Sequence, residues 1–191
     1  MRGGASVTLC AECAAEVTTM RSMFATSETR MRQRQRFGHG VALLACLLIL
    51  AGAYGLEWVA GMEPCPLCMV QRLVFVGMAL VALVGFLHGS PGWGRFVYAG
   101  LNTLVVASGV AVAARHLWLQ SLPPEDVPAC GPGLDYMVDA FGFLETVPMV
   151  LAGSGECAEV HAVLGVTLPG WTLGAYVLLG LWTLAMTRRP R

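Results

Sequence analysis

The chain is organised around Glu63-Pro64-Cys65-Pro66-Leu67-Cys68-Met69-Val70-Gln71-Arg72, a Cys-x-x-Cys pair at the start of an apolar run, residues 69–87. Pro66 suits the first position of a helix, where its missing N–H costs nothing. A helix that begins near Leu67 or Cys68 carries Cys68 and Arg72 on one face, because they are four residues apart. A guanidinium and a helix N-terminus both favour thiolate over thiol, so the stretch predicts a redox site at the membrane edge.

Two other interpretations of the pair stay open. A Cys-x-x-Cys pair can be half of a zinc site, or it can be two inert core cysteines. No second close pair or histidine pair lies near it in the chain. The flanking prolines, the arginine one turn on and the apolar run favour the redox interpretation, and no bound metal is predicted.

Composition points to a membrane protein. The chain has 191 residues, of which 56% are hydrophobic and 13% are charged, whereas soluble domains usually carry about 25% charged residues. All 12 basic residues are arginine. The arginines between residues 30 and 36 adjoin an apolar span, which indicates membrane orientation rather than nucleic-acid binding.

Four apolar segments are long enough to cross a bilayer, at about 1.5 Å of helix rise per residue. They cover about 41–60, 68–87, 96–119 and 168–186. The sequence therefore predicts an all-α, polytopic four-helix bundle, with outer loops at about 61–67 and 120–167. Within the longer loop, Tyr136–Leu151 mixes apolar and acidic residues, which predicts a short helix or two on the membrane surface.

The ends of the chain differ from this four-span domain, which we place at residues 37–187. Residues 1–36 are polar and without pattern, so we expect a disordered, basic cytoplasmic extension, and residues 188–191 form a cytoplasmic tail. A second Cys-x-x-Cys, Cys10 and Cys13, is more typical of disorder or a weak metal knuckle than of catalysis. Met31 is a natural alternative start.

Arginine placement predicts the topology. Arginines precede the first span, follow the second and follow the fourth, which puts them on one side, the cytoplasmic one by the positive-inside rule. Both termini are then cytoplasmic and the cysteine loops face outward, in bacteria the periplasm, where disulfides persist. Arg72 and Arg115 break the pattern near the outer ends of their spans, where charges are often functional.

The second outer cysteine pair is Cys130 and Cys157. Cys130 lies in Pro128-Ala-Cys130-Gly-Pro-Gly133, whose glycines and prolines leave a sulfur exposed to another protein. Two cysteine pairs within reach of each other can pass a disulfide by thiolate attack. A plain loop-closing disulfide is the alternative, and it would contribute about 3–4 kcal/mol.

From about Arg36 onward the chain resembles the DsbB family, the bacterial inner-membrane thiol:quinone oxidoreductases. The residues that carry the resemblance are Pro64-Cys65-Pro-Leu-Cys68 with Gln71-Arg72, His116-Leu-Trp-Leu-Gln120, Pro128-Ala-Cys130 and Ser154-Gly-Glu-Cys157-Ala-Glu159. Their order and the four-span layout also match. Residues 1–35 lie outside the resemblance.

The resemblance implies a disulfide relay in a multi-pass, monomeric protein of the bacterial inner membrane. A reduced DsbA-like partner with a thioredoxin fold would attack Cys130, and the released Cys157 would engage Cys65 and free Cys68 beside a quinone, either ubiquinone or menaquinone. Arg72 would stabilise the Cys68 thiolate and the quinone. His116 would be a second quinone contact or proton donor, and His161 is expected to be structural.

Three rival functions remain at this stage, one of which is a non-catalytic membrane scaffold with structural disulfides and no quinone-dependent turnover. A vitamin K epoxide reductase-like enzyme also combines four helices, a Cys-x-x-Cys pair and quinone chemistry, but its close pair usually opens the last helix of the bundle rather than the second. A haem-binding electron carrier is a rival from another class, in which His39 and His88 could form an axial pair.

Overall fold

A computed structural model of the chain describes residues 4–61, 64–89, 92–131 and 133–188. Its helices are α1 (Gly4–Ala60), α2 (Pro66–His88), α3 (Gly94–Gln120), α4 (Leu134–Phe141), α5 (Phe143–Ala152) and α6 (Leu168–Thr187). Four helical stretches are long and apolar enough to cross a membrane: Met20–Val59, Pro66–His88, Gly94–Gln120 and Leu168–Thr187. The prediction of an all-α chain with four spans is confirmed.

Helix α2 begins one or two residues earlier than predicted. Pro66 is its first residue, and Cys65 is the N-cap, whose Sγ accepts the backbone N–H of Cys68 at 3.4 Å. The helix ends where Gly89 adopts a left-handed conformation (φ 54°) and donates its N–H to the carbonyl of Gly85 at 2.9 Å. These two caps explain the helix bounds, because they satisfy backbone groups that the helix leaves unpaired.

The four long helices form a closed ring. Helix α1 packs against α2 and α6, and α3 packs against the same two helices. Tyr176 of α6 lies fully buried in the centre, where its ring stacks on Phe75 of α2 with centroids 4.4 Å apart. A β-carbon on Gly109 would lie 2.8 Å from the Tyr176 ring, so this glycine permits the close contact of α3 and α6.

Arginine side chains gather at one end of this ring. Arg36 donates from Nη2 to the carbonyl of Leu87 at 3.2 Å, near the C-terminus of α2. Arg34 donates to the carbonyl of Ala185 at 3.4 Å, near the C-terminus of α6. Cations at helix C-termini interact favourably with the unpaired carbonyls there. The cysteine pair of α2 lies at the opposite end of the same helix.

The segment between α3 and α6 contains more structure than the sequence predicted. It holds α4 and α5, which meet at Gly142 (φ 78°), together with short 3-10 turns at Pro124–Asp126 and Gly155–Ala158. Strands β1 (Ala162–Val163) and β2 (Val166–Thr167) pair in an antiparallel hairpin before α6. Both turn residues of the hairpin, Leu164 and Gly165, have positive φ, as a tight two-residue turn requires.

The N-terminal segment differs from the expected disorder. Helix α1 continues without a break from Gly4 through the first span to Ala60. Over residues 20–30 every side chain is exposed, so this part of α1 is helical without packing against the bundle. The side chains of Cys10 and Cys13 lie outside the described residues.

Candidate active site

Cys65 and Cys68 lie side by side at the N-terminal end of α2. Their sulfur atoms are 3.1 Å apart and both thiols are free. Cys65 is buried and Cys68 is half-buried. A disulfide bond measures about 2.05 Å, so a small side-chain rotation would bring the two sulfurs into bonding distance. The pair can therefore alternate between dithiol and disulfide forms.

Cys157 reaches this pair from the long loop. Its side chain is 0% exposed in the 3-10 turn Gly155–Ala158, where it packs in one cluster with Cys65, Leu67, Val112 and Leu119. The loop cysteine and the helix cysteine are thus packed into one buried cluster, the arrangement that disulfide exchange between them requires.

These contacts keep two of the thiols protonated. The hydrogen bond with Cys65, followed by burial, raises the pKa of Cys157 well above its ordinary value. The hydrogen bond with Cys157 lowers the pKa of Cys65, but the bond with Cys68 and burial outweigh it and raise that pKa to about 12. Since the thiolate is the attacking form, neither Cys65 nor Cys157 is an intrinsic nucleophile while all these thiols are reduced.

His116 links Cys65 to a polar chain inside the bundle. Its Nε2 lies 3.8 Å from Cys65 Sγ, and its Nδ1 lies 3.2 Å from the side-chain nitrogen of Gln71. Thr172 donates its hydroxyl to Gln71 Oε1 at 2.7 Å. Because Oε1 accepts from Thr172, the amide N–H of Gln71 faces Nδ1, and the proton of the neutral imidazole is on Nε2, toward the cysteine.

Arg72 is held on the other side of the site by Glu57 of α1. The ion pair is 2.5 Å long, and the two side chains are 14% and 31% exposed. Arg72 also donates to the carbonyl of Ala53 at 3.3 Å, and its guanidinium lies 4.7 Å from the ring centroid of Tyr54. The charge is therefore oriented by three groups of one helix.

A cavity of about 710 Å³ brings these residues together. Its lining is mostly apolar and includes Leu50, Phe75 and Trp171. The polar residues on its wall come from all four long helices and from the long loop: Glu57, Cys65, Cys68, Gln71, Arg72, His116, Gln120, Glu156, Glu159, His161 and Thr172. A largely apolar pocket with a few convergent polar groups is the usual form of a small-molecule site.

Cys130 is the one predicted site cysteine that is exposed. Its loop is tied to the Cys157 turn, because Gly155 donates its N–H to the carbonyl of Ala129 at 3.3 Å. A β-carbon on Gly155 would lie 2.6 Å from the carbonyl oxygen of Pro128 and 3.2 Å from Cys130 Sγ. Cys130 is thus open to a partner while its loop is fixed beside Cys157.

The other three histidines lie in two different places. His161 is exposed, lies 3.6 Å from a carboxylate oxygen of Glu159 and lines the cavity. His39 and His88, the axial pair of the haem hypothesis, both contact the edge of the Tyr98 ring, and His88 hydrogen-bonds its hydroxyl at 2.7 Å.

Three polar residues of the site were not predicted from the sequence. Sequence analysis assigned no role in the site to Gln71, Glu57 or Thr172. The available signal was their position: a polar or ionisable residue within an apolar span is a functional candidate by default.

Comparison with known proteins settles the family. The family model for disulfide bond formation protein DsbB matches residues 35–186. The chain belongs to the DsbB family. Disulfide bond formation protein B of Hahella chejuensis is 50% identical over 152 residues, 76% of this chain and 92% of that protein. The Chromohalobacter salexigens protein of that name is 50% identical over 153 residues, covering 79% and 89% of the two chains.

A third DsbB relative, from Nitrosococcus oceani, is 46% identical over 162 residues, 83% of this chain and 95% of that protein. As a DsbB-family member, the chain is a multi-pass membrane oxidoreductase that forms disulfide bonds. The haem-carrier and epoxide reductase hypotheses are not favoured.

Proposed function

We propose that this DsbB-family chain reoxidises a DsbA-type thiol oxidase and delivers the electrons to a membrane quinone. The observation that carries the proposal is the continuity of sulfur contacts. Cys157 of the loop packs with Cys65 in one buried cluster, and Cys65 Sγ lies 3.1 Å from Cys68 Sγ. Disulfide exchange needs sulfur-to-sulfur contact at every step, and this geometry supplies the inner two steps.

The proposed relay starts with Cys130–Cys157 and Cys65–Cys68 both as disulfides. A partner thiolate attacks the exposed Cys130, the Cys130–Cys157 bond breaks, and Cys157 leaves as a thiolate. Cys157 attacks Cys65, the Cys65–Cys68 bond breaks, and Cys68 leaves as a thiolate. The partner's second thiolate then displaces Cys130 and departs as a disulfide, having given up two electrons.

The outer disulfide closes next. Cys130 attacks Cys157 in the Cys65–Cys157 bond, which restores Cys130–Cys157 and releases Cys65. Two electrons and two protons now reside on Cys65 and Cys68. When they pass to a two-electron acceptor, the Cys65–Cys68 disulfide forms again and the cycle is complete. His116, whose Nε2–H faces Cys65 Sγ at 3.8 Å, is positioned to donate a proton to the Cys65 thiolate when it is released.

The cavity beside Cys68 fits a quinone. A volume of about 710 Å³ lies within the range of about 300–1,000 Å³ that small-molecule sites occupy. When bound, a quinone supplies the oxidant that thiol pools cannot, since DsbA-type proteins have potentials near −120 mV. Arg72 and His116 are the donors on the wall that would bind its carbonyl oxygens, and the apolar lining excludes water.

The placement in the membrane belongs to the same proposal. Arginines cluster at the end of the bundle opposite Cys65 and Cys68, which supports cytoplasmic termini and periplasmic cysteines by the positive-inside rule. We place the protein in the bacterial inner membrane, because only there do a periplasmic disulfide oxidant and a lipid-soluble quinone meet. We propose that it acts there as a monomer.

The decisive experiment measures oxidation of a reduced DsbA-type protein by the full chain in detergent, with and without a soluble ubiquinone or menaquinone analogue. We expect turnover only with quinone, and loss of turnover in Cys65→Ser, Cys68→Ser, Cys130→Ser and Cys157→Ser. A Cys10→Ser/Cys13→Ser double variant is the matched control and should keep its activity. Wild-type turnover in Cys68→Ser would refute the relay.

A second experiment tests the quinone contact. Arg72→Met should raise the KM for quinone more than the KM for the partner, because Arg72 lies on the cavity wall. Arg115→Met is a suitable control, since Arg115 donates instead to the carbonyl of Ala152 at 2.8 Å and covers the Trp118 ring. An unchanged quinone KM in Arg72→Met would show that Arg72 has another role.

A further inference from the structure

Three potential metal ligands converge at the redox pair. One ligand atom each from Cys65, Cys68 and His116 lies within 4.8 Å of the other two. The two sulfurs are 3.1 Å apart, and Cys65 Sγ is 3.8 Å from His116 Nε2. Tetrahedral zinc has Zn–S and Zn–N distances of about 2.3 and 2.0 Å, which puts neighbouring ligand atoms roughly 3.5–3.8 Å apart. The sulfur separation must therefore widen by about 0.7 Å, and the His116 ring nitrogen, which is within 4.8 Å of both sulfurs, must lie about 3.6 Å from Cys68 Sγ.

We propose that the reduced protein binds one Zn²⁺ ion through Cys65, Cys68 and His116, with the fourth position open to the cavity. Binding replaces the protons of the two thiols by the metal, so two protons are released and no electron moves. The disulfide form lacks both thiolate ligands and does not bind the ion. The site is therefore specific for one redox state of the protein.

The surroundings of His116 support metal binding. A metal-bound histidine almost always donates its other ring N–H to an oxygen atom that fixes the ring. Gln71 is 3% exposed and lies 3.2 Å from Nδ1 through its amide group. If the amide turns over, Oε1 accepts Nδ1–H, and Thr172 can still direct its hydroxyl to the carbonyl of Pro169, 3.0 Å away. Gln71 can thus support either tautomer of His116.

An entry path for a cation is present. The cavity that contains the three ligands is also lined by Glu156 and Glu159 of the long loop. Residues 120–167 carry seven acidic side chains and no lysine or arginine. A cleft lined by one sign of charge raises the local concentration of the opposite ion. The nearby positive charge of Arg72 is paired with Glu57 at 2.5 Å, which reduces its repulsion of the metal.

Zinc binding goes beyond the proposed quinone chemistry and inhibits it. Thiolates held by zinc cannot close the Cys65–Cys68 disulfide, so the ion traps the reduced enzyme. Because the site depends only on the reduced thiols and His116, it exists whether or not quinone is the electron acceptor. A direct measurement of binding therefore tests the inference separately from the proposed function.

The experiment uses the full chain in detergent, reduced with a phosphine and titrated with Zn²⁺ against a chromophoric chelator. We expect one ion per reduced chain and a loss of at least tenfold in affinity for Cys65→Ser, Cys68→Ser and His116→Ala. Gln71→Leu should weaken binding by about 10- to 100-fold, the usual effect of removing a group that orients a ligand. Co²⁺ in place of Zn²⁺ should give thiolate-to-metal absorption bands.

Two controls keep the result interpretable. Cys46→Ala removes a buried cysteine of the bundle core and should leave the affinity for Zn²⁺ unchanged. Oxidation of the wild-type chain before titration should abolish binding, and this comparison needs no variant that could misfold. Equal binding by oxidised and reduced protein would overturn the inference, as would wild-type affinity in both His116→Ala and Cys68→Ser.

Discussion

Removing the hydroxyl of Thr172 should free the imidazole of His116 from its fixed orientation while leaving Cys65 and Cys68 unchanged. Thr172 donates to Gln71 Oε1 at 2.7 Å, and Gln71 in turn contacts His116 Nδ1 at 3.2 Å. Thr172→Val keeps the shape of the side chain and deletes only the donor. The side-chain oxygen Oε1 of Gln71, a residue that is 3% exposed, then loses its hydroxyl partner, so the amide is free to turn and the imidazole loses its fixed orientation.

The size of the effect follows from the environment of this bond. Hydrogen bonds between helices within membranes contribute about 0.6 kcal/mol on average and up to about 1.7 kcal/mol. Since this bond is short and its acceptor is buried, we expect a coupling free energy of about 1–1.7 kcal/mol between Thr172 and Gln71. Each 1.36 kcal/mol is tenfold in rate, so thiol oxidation should slow by about tenfold if all of this energy positions His116.

A double-mutant cycle measures this coupling directly. Unfolding free energies in detergent are compared for Thr172→Val, Gln71→Leu and the double variant, and turnover is measured on the same samples. Thr103→Val is the matched control, because Thr103 is exposed and bonds only within its own helix, to Ala99 O at 2.8 Å. A coupling free energy below about 0.3 kcal/mol would refute the proposed hydrogen-bond connection from Thr172 through Gln71 to His116. Equal rate losses in Thr103→Val and Thr172→Val would refute it as well.

Three further predictions follow from close contacts and burial. Gly109→Ala should lower the unfolding free energy by about 1–3 kcal/mol, because its β-carbon would lie 2.8 Å from the buried tyrosine ring. Gly155→Ala should slow exchange with the partner, since its β-carbon would lie 3.2 Å from Cys130 Sγ. Iodoacetamide should modify Cys130 first, and Cys65 only at alkaline pH, because the pKa of Cys65 is raised to about 12.

Each of these has its own control. Gly100→Ala lies in the same helix with open space around it, and an equal loss of stability there would contradict the role of Gly109. Gly133→Ala is likewise unobstructed and should exchange at the wild-type rate. The pKa of Cys65 in the folded chain exceeds that of an unfolded thiol, which is about 8.5. The unfolding free energy of the reduced chain should therefore fall as pH rises from about 8.5 toward 12. Fast modification of Cys65 at neutral pH would contradict the raised pKa.

Much of the fold could be read from local properties of the chain. Apolar length alone located the four spans, because a long apolar segment that crosses a bilayer satisfies its backbone hydrogen bonds within itself by forming a helix. The proline beside Cys65 located the start of α2 to within two residues. The hairpin before α6 was not predicted, since two-residue strands have no periodicity to detect, and the helix through residues 4–36 was hidden by their polar, patternless composition.

The sequence by itself indicated the cysteines, Arg72 and His116 that we propose for the chemistry, and the side of the membrane on which we expect them, since both are properties of short segments and of charge bias along the chain. Only the tertiary structure decided how they meet. His116 contacts residues 45 and 51 positions away, and Thr172 reaches one 101 positions away. Such contacts depend on the rotation of each helix within the ring and on the path of the loop, which the close packing of all four helices sets jointly.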